Sequence, residues 1–392
     1  MNTLFSPDIL NRARSLFPHT EQGKNYLNHA STSPLSSRVV NAMTTYLRNR
    51  SEEDLETYFT DLKMVSECRS LVAKLINAGS PDRIAFQINT SDAINVIASG
   101  LPWAPGDSLI LNDIEFPANV YPYLNLKRLG VEIDIIKSSD GRITPDMIAS
   151  RFRPRTRLVA LSAVQYLSGH RADLEAIGKM CRGRGIVFAV DGIQAVGAVR
   201  LDVQRMKIDA LAAGAQKWQM GPHGSGFLYL TEELQERIAQ ANLGWLSVED
   251  PWSFHKFDQQ LAPSARRYEG GSLNMPSLHG LHAALSTLLE FGPEAIENHI
   301  LAITEILRSG LAGIDGLSVV TSYLDAERAG IVTVRLPEGA DSKEVFHRIS
   351  AQKVFIALRE GQLRFSPHFY SSPDEMRQAV DVTRECLLSV RS

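Results

Sequence analysis

VDGIQAVGAVRLDVQRMKIDALAAGAQKWQMGPHGSGFLYL, residues 190–230, holds the two positions on which the reading of this chain turns. The run GIVFAVD (185–191) carries β-branched and aromatic residues up to Asp191, and Gln194 follows three residues later. A second run, DALAAGA (209–215), leads to Lys217 in a small-residue setting, with Gly214 and Ala215 before it and Gly221 after. In an open α/β sheet, ligands bind beyond the carboxyl ends of the strands, so Asp191 and Lys217 are expected to face one crevice.

Working outward, short apolar runs alternate with helix-period segments from about residue 80 to 230. IAFQ (84–87), SLILN (108–112), VEIDII (131–136), TRLVALSAV (156–164) and GSGFLYL (224–230) join the two runs above to give seven strands. Between them, SDAINVIASGL, ANVYPYLNLKRLG and RADLEAIGKMCRGRG place apolar residues three and four apart and end near glycine, as helices do. The expected architecture is α/β, a large domain with a mainly parallel seven-stranded sheet under crossover helices. A polar stretch with proline and tryptophan (244–275) then leads to a helical pair, IVTVRL (331–336), VFIALRE (354–360), QLRFS (362–366) and a last helix. That pattern predicts a small α+β domain. The boundaries are drawn at 21–260 and 261–392, with the N-terminal segment 1–20 packed on the small domain.

The chain has 392 residues, 44% hydrophobic and 22% charged, a size beyond one small core. A formal charge of −3 removes the electrostatic case for nucleic acid or an anionic membrane surface as partner. Arg151, Arg153, Arg155 and Arg157 read as a solvated turn. Cys68, Cys181 and Cys386 are far apart, without disulfide or zinc-ligand spacing, which fits a reducing cytoplasm. The N-terminus lacks an apolar leader core and no run has spanning length, so the expectation is neither secretion nor a membrane.

A carboxylate and an amine at neighbouring strand ends suggest pyridoxal 5′-phosphate. A lysine amine forms a Schiff base with its aldehyde, and a carboxylate beside the pyridine nitrogen keeps that nitrogen protonated, making the ring an electron sink. The competing reading is a helix-capping Asp191 and a surface Lys217.

YLNHASTSPLS, INTSDAINVIASGL, IEFPANVYPYL, SAVQYLSGHRADL, the Asp-to-Lys segment, RRYEGGSLNMPSLHGL and GQLRFSPHFYSSPDE occur in this order over nearly the whole chain. Together they resemble the class V aminotransferases of pyridoxal-phosphate fold type I, a family that includes cysteine desulfurases, kynureninase and isopenicillin N epimerase. The resemblance implies Lys217 as the Schiff-base lysine, Asp191 as the pyridinium partner, and Gln194 and Gln165 near the cofactor 3′-oxygen. It implies Phe116 as the stacking ring, with ordinary core as the alternative. The phosphate is expected where NTSDAINV opens a helix, held by Thr90 and Ser91, either of which could instead cap that helix. Gln216 and Gly214 stand where the desulfurases have histidine and serine; Gln216 can donate a hydrogen bond to the cofactor but carries no charge.

Gly271 and Ser272 match a loop that crosses a dimer interface to the partner's phosphate, so the resemblance implies a homodimer with shared active sites. Arg364 matches the family's carboxylate-binding arginine, a bidentate clamp for an amino-acid substrate. Arg359 reads a second acidic group or pairs on the surface. Asn28, His29 and Ala30 would form one wall of the substrate pocket, with a hydrogen-bonded His29 that transfers no proton as the alternative. Gly221, Gly224 and Gly226 are backbone relief near Lys217 rather than a phosphate loop, and His279 with His282 lacks a third metal ligand, so no metal is expected.

With Lys217 as the base at the substrate α-carbon, the remaining question is the fate of the carbanion. FIALREGQLRFS lacks the cysteine a persulfide-forming desulfurase requires. Transamination needs the fewest further groups and is the preferred expectation. Carbon–sulfur elimination without a protein persulfide comes next, then epimerisation or kynureninase-like hydrolysis, with a non-catalytic cofactor-binding scaffold as the alternative of another class.

Overall fold

The computed structural model describes residues 3–391; Met1, Asn2 and Ser392 lie outside the described residues. Its strands, in chain order, are β1 (Asn25–Tyr26), β2 (Ile84–Gln87), β3 (Ser108–Asn112), β4 (Glu132–Ile136), β5 (Thr156–Ser162), β6 (Val187–Asp191), β7 (Ala210–Gly214), β8 (Gly226–Leu230), β9 (Ser318–Val319), β10 (Val332–Arg335), β11 (Val354–Phe355), β12 (Ala357–Arg359) and β13 (Gln362–Phe365).

Strands β2 to β8 form the expected sheet in the order β2-β8-β7-β6-β5-β3-β4. Only β8 runs against its neighbours, β2 and β7, so the carboxyl ends of the other six open on one edge. Strands β3, β5, β6, β7 and β8 are buried almost throughout, as the continuous apolar runs require when helices cover both faces. The fold is the expected α/β arrangement of a large, mainly parallel seven-stranded sheet under crossover helices.

A second, antiparallel sheet has the order β12-β13-β10-β9, and β1 pairs in parallel with β11. The helix Met275–Phe291 belongs to the core of the large sheet, packing on the helices Ser37–Glu52 and Tyr58–Ile76. Side-chain packing therefore crosses the 260/261 division. In the N-terminal segment, Phe5 stacks on His299 and Arg14 pairs with Glu375. Arg151, Arg153 and Arg155 are exposed in the turn before β5, as expected, and they also pair with acids beside it, Arg153 with Glu132 and Asp134 and Arg155 with Asp107. No described helix is long and apolar enough to cross a membrane.

Candidate active site

The carboxyl ends of β2, β3, β5, β6 and β7 open on a cleft of about 800 Å³ that holds Lys217, Asp191, Thr90, Ser91, Phe116, Gln194, Gln216, Ala30, Arg359 and Arg364. Asp191 ends β6. Lys217 lies three residues beyond β7, where the backbone is pinned from outside the sheet. Ser33 donates its N–H to the Gln216 carbonyl at 2.8 Å and its hydroxyl to the Lys217 carbonyl, and His368 Nε2 bonds the Trp218 carbonyl at 2.8 Å. Gly214 lets the chain pass close to its neighbours here, since a Cβ would stand 2.6 Å from the mobile end of Gln216 at Oε1 and 3.2 Å from Thr90 Oγ1.

Charge is distributed unevenly in the cleft. Lys217 is buried, and desolvation lowers its pKa from the ordinary 10.5 to about 8, with Arg364 and Arg359 also lowering it and Asp191 opposing them. Asp191 is buried and its pKa is raised, chiefly by desolvation and further by Glu115. It accepts one hydrogen bond among the described residues, from the Ile193 N–H to Oδ1 at 2.9 Å, which leaves Oδ2 open.

Arg364 is 2% exposed yet has no carboxylate within ion-pairing distance among the described residues. It donates to the Tyr166 carbonyl at 2.6 Å and to Ser31 Oγ at 2.7 Å, and its Nε is buried without a partner. Arg359 shares the same Ser31 hydroxyl at 3.2 Å. A buried guanidinium without a counter-ion is a site for an anion.

The helix Thr90–Gly100 points its N-terminus into the cleft. Asn89 caps it, accepting from the Asp92 N–H at 2.9 Å, so neither Thr90 nor Ser91 is spent on capping. Thr90 Oγ1 accepts from the Gly214 N–H at 2.8 Å and keeps its own proton to donate, and the Ser91 hydroxyl makes no hydrogen bond among the described residues. Phe116 is 44% exposed at the cleft rim, its ring centroid 5.4 Å from Lys217 Nζ. Gln194 is held at both ends of its amide, by the Ala30 carbonyl at 3.0 Å and Trp218 Nε1 at 2.8 Å.

Several expected residues lie elsewhere. Gln165 points its Nε2 at Glu115 Oε1, 2.8 Å away, and lines a neighbouring cavity instead. His29 is fully buried: Nδ1 lies 2.8 Å from the Ser366 carbonyl and so carries the proton, leaving Nε2 to accept from Tyr370 at 2.8 Å. It is a structural bridge, and Asn28 beside it pairs with Ser366, so Ala30 and Ser31 make the wall. Gly271 and Ser272 line another pocket with Asp92 and Asn95. His279 bonds Asp61 at 2.9 Å.

Sequence reasoning missed Ser31, Tyr166, Asn89 and Glu115. The Glu115 carboxylate gathers Asn112, Asn119, Gln165 and both the N–H and hydroxyl of Ser162, tying the ends of β3 and β5 together beneath Phe116. A glutamate directly before Phe-Pro at a strand end was the available signal. Ser31 and Tyr166 were each one residue from a position already singled out.

The donor set fits pyridoxal 5′-phosphate: an amine made less basic by burial, a carboxylate with one oxygen not hydrogen-bonded among the described residues, and hydroxyls at a helix N-terminus. A sequence model of the family described as Aminotransferase class-V matches residues 25–369. The chain is 29% identical to a probable cysteine desulfurase of Methanothermobacter thermautotrophicus, over 90% of this chain and 92% of that protein. It is also 29% identical to the uncharacterized aminotransferase YcbU of Bacillus subtilis, over 94% and 95% of the two chains. Among solved structures, an apo cysteine desulfurase from Thermococcus onnurineus superposes with a TM-score of 0.88 at 23% identity, covering 99% of this chain and 100% of that one. The cystine C-S lyase C-DES, solved with its product cysteine persulfide, gives 0.87 at 22%, covering 94% and 99%. With cleft and family model in agreement, the chain belongs to the class V aminotransferases, pyridoxal-phosphate-dependent enzymes that act on amino acids.

Proposed function

We propose that the chain is an aminotransferase in which Arg364 holds the substrate carboxylate and Lys217 moves the α-proton. The observation that carries this reading is a buried arginine with no counter-ion sharing a cleft with an amine whose pKa is lowered toward neutrality. Bound pyridoxal phosphate supplies the electron sink that acidifies the substrate Cα–H. Thr90 and Ser91 then hold its phosphate, Asp191 and Gln194 orient its ring, Gln216 adds a donor, and Phe116 covers one face. Lys217 Nζ takes the proton from Cα and returns it, while Arg364 holds the carboxylate of amino acid and keto acid alike. Exchange of an amino group needs no more of the protein than this.

A protein persulfide has no support. All three cysteines are buried outside the cleft, and burial pushes the Cys68 and Cys181 thiols up to about 12. Their reduced state accords with a cytoplasmic setting. Carbon–sulfur elimination without a persulfide is the second reading, favoured by the fold-level likeness to C-DES. Incubating holoenzyme with a panel of amino acids, with and without a keto acid, separates the two. Transamination yields a new amino acid only when the keto acid is present. Pyruvate and sulfide released from cysteine without an acceptor would overturn the proposal.

The active unit is a homodimer in this reading. Phe59, Trp245, Trp252 and Phe254 form an exposed aromatic patch, and Phe257, three residues beyond Phe254, is 90% exposed. The patch adjoins the loop carrying Gly271, since Trp245 Nε1 would lie 3.8 Å from a Cβ there. A second copy covering the patch would bring Gly271 and Ser272 to the partner's phosphate site.

A further inference from the structure

Building on the assignment of Lys217 and Arg364 to the reacting end of an amino acid, we infer that the cleft continues into a second subsite for a second α-amino-acid head. The substrates would be elongated molecules with an ammonium and a carboxylate at each end.

A cavity of about 1220 Å³ lies between the loop after β5 and the small sheet, and Tyr166 lines both it and the cleft. Register in the small sheet aligns Arg359 of β12, Gln362 of β13, Arg335 of β10 and Ser318 of β9 in one cross-strand row. Directly paired residues share a face, and Arg364, two residues beyond Gln362, shares it too. The opposite face, with Leu363, Val334 and Phe365, is core. Arg364 and Arg335 are thus diagonal neighbours, with Cα atoms roughly 7–8 Å apart. Arg359 and Arg364 serve the cleft, while Gln362, Arg335 and Ser318 line the second cavity.

The polar groups of that cavity define its ligand. Arg335 and Glu360 are exposed and make no side-chain hydrogen bond or ion pair among the described residues, so both are open to a ligand. Gln165, 1% exposed, has its Oε1 buried without a partner, and so does Gln362. The other two carboxylates there are engaged, Asp113 with Lys137 at 3.6 Å and Asp140 with the Arg142 N–H at 3.1 Å. Two amide oxygens and the Glu360 carboxylate call for N–H donors, and Arg335 calls for an anion. An ammonium beside a carboxylate supplies both.

The backbone of Glu360 adds an independent reason. It occupies the first position of the two-residue turn between β12 and β13 at φ 47°, followed by Gly361 at φ 73°. Asparagine or glycine suits that position, and glutamate there bears strain. Such strain is commonly kept where the side chain has work to do.

The test titrates the visible spectrum of the holoenzyme with LL-2,6-diaminopimelate, L-2-aminopimelate, which lacks the second amine, and L-norleucine, which lacks the second head. Diaminopimelate should bind at least about tenfold tighter than norleucine, one charge-assisted contact being sufficient for that. Arg335→Gln should abolish the preference over norleucine. Glu360→Asn should raise the melting temperature by relieving the turn and yet erase the discrimination between diaminopimelate and aminopimelate. Equal binding of diaminopimelate and norleucine, or a preference that survives Arg335→Gln, overturns the subsite. Discrimination retained in Glu360→Asn overturns its ammonium half. A spectrum indifferent to all three ligands refutes instead the assignment of Lys217 and Arg364 to amino-acid chemistry.

Discussion

Replacing Arg364 with methionine should separate function from stability. The guanidinium is 2% exposed, and desolvation, with Arg359 adding to it, lowers its pKa to about 10. That lowering corresponds to roughly 3 kcal/mol of cost to the cation in the substrate-free protein. Against it stand the hydrogen bonds to the Tyr166 carbonyl and Ser31 Oγ, each contributing roughly 1.5 kcal/mol when the donor is charged. The two nearly cancel, and an apolar side chain of similar length fills the space, so the melting midpoint should move by no more than about 3 °C. The catalytic effect is one-sided, because the substrate carboxylate loses its bidentate partner. A loss of about 2–5 kcal/mol lowers kcat/KM by roughly thirtyfold to several thousandfold. The assay is steady-state kinetics with the best amino acid of the panel, alongside calorimetry of the apoprotein. Arg364→Lys, which keeps the charge and loses the fork, should fall between. A methionine variant retaining kcat/KM to within about threefold would refute the carboxylate assignment. One that unfolds would refute the energetic reasoning.

Because the neutral amine is the nucleophile, the rate at which apoprotein captures pyridoxal phosphate should rise with pH through a midpoint near 8, where an exposed lysine would require about 10.5. Asp191→Asn removes the group that supports the charged amine and should move the midpoint lower; stopped-flow absorbance reads both, and a midpoint above 10 would sink the desolvation argument. Lys217→Ala should lose the visible band of the internal imine, and an unchanged band would exclude Lys217 as the attachment point. Ser91→Ala should weaken cofactor affinity several-fold in equilibrium dialysis with little change in melting, whereas Asn89→Ala should cost about 1 kcal/mol of stability through its lost cap. Substituting Trp252 and Phe257 by serine should give monomers in sedimentation equilibrium and lower cofactor affinity; a wild-type protein that sediments as a monomer with full cofactor binding would rule out the shared site.

Much of the cleft was legible because its residues sit at strand ends, where a hydrophobic run stops at a polar residue. Asp191, Lys217 and the NTSDAINV helix start are local signals of that kind. Gln165 was misjudged because its direction depends on Glu115, which is 50 residues away and whose acceptor capacity is visible only when β3 and β5 lie side by side. His29 sits in a motif beside the pocket, but its two ring nitrogens are claimed by Ser366 and Tyr370 from the far end of the chain. The packing of Met275–Phe291 was not legible, because helix period tells that it is amphipathic without telling which elements its apolar face meets.

The sequence by itself determined the seven strands and that the runs leading to Asp191 and Lys217 end toward one edge, since a parallel sheet presents its carboxyl ends together. The roles of that carboxylate and amine came from the resemblance to a known family, because periodicity alone leaves a helix-capping Asp191 and a surface Lys217 open. Only the tertiary structure decided which polar groups are left unpartnered: Asp191 Oδ2, the Arg364 guanidinium, and the open acceptors beside Arg335. Whether a buried group is satisfied depends on donors brought from distant segments, and that complement exists only once the chain has folded.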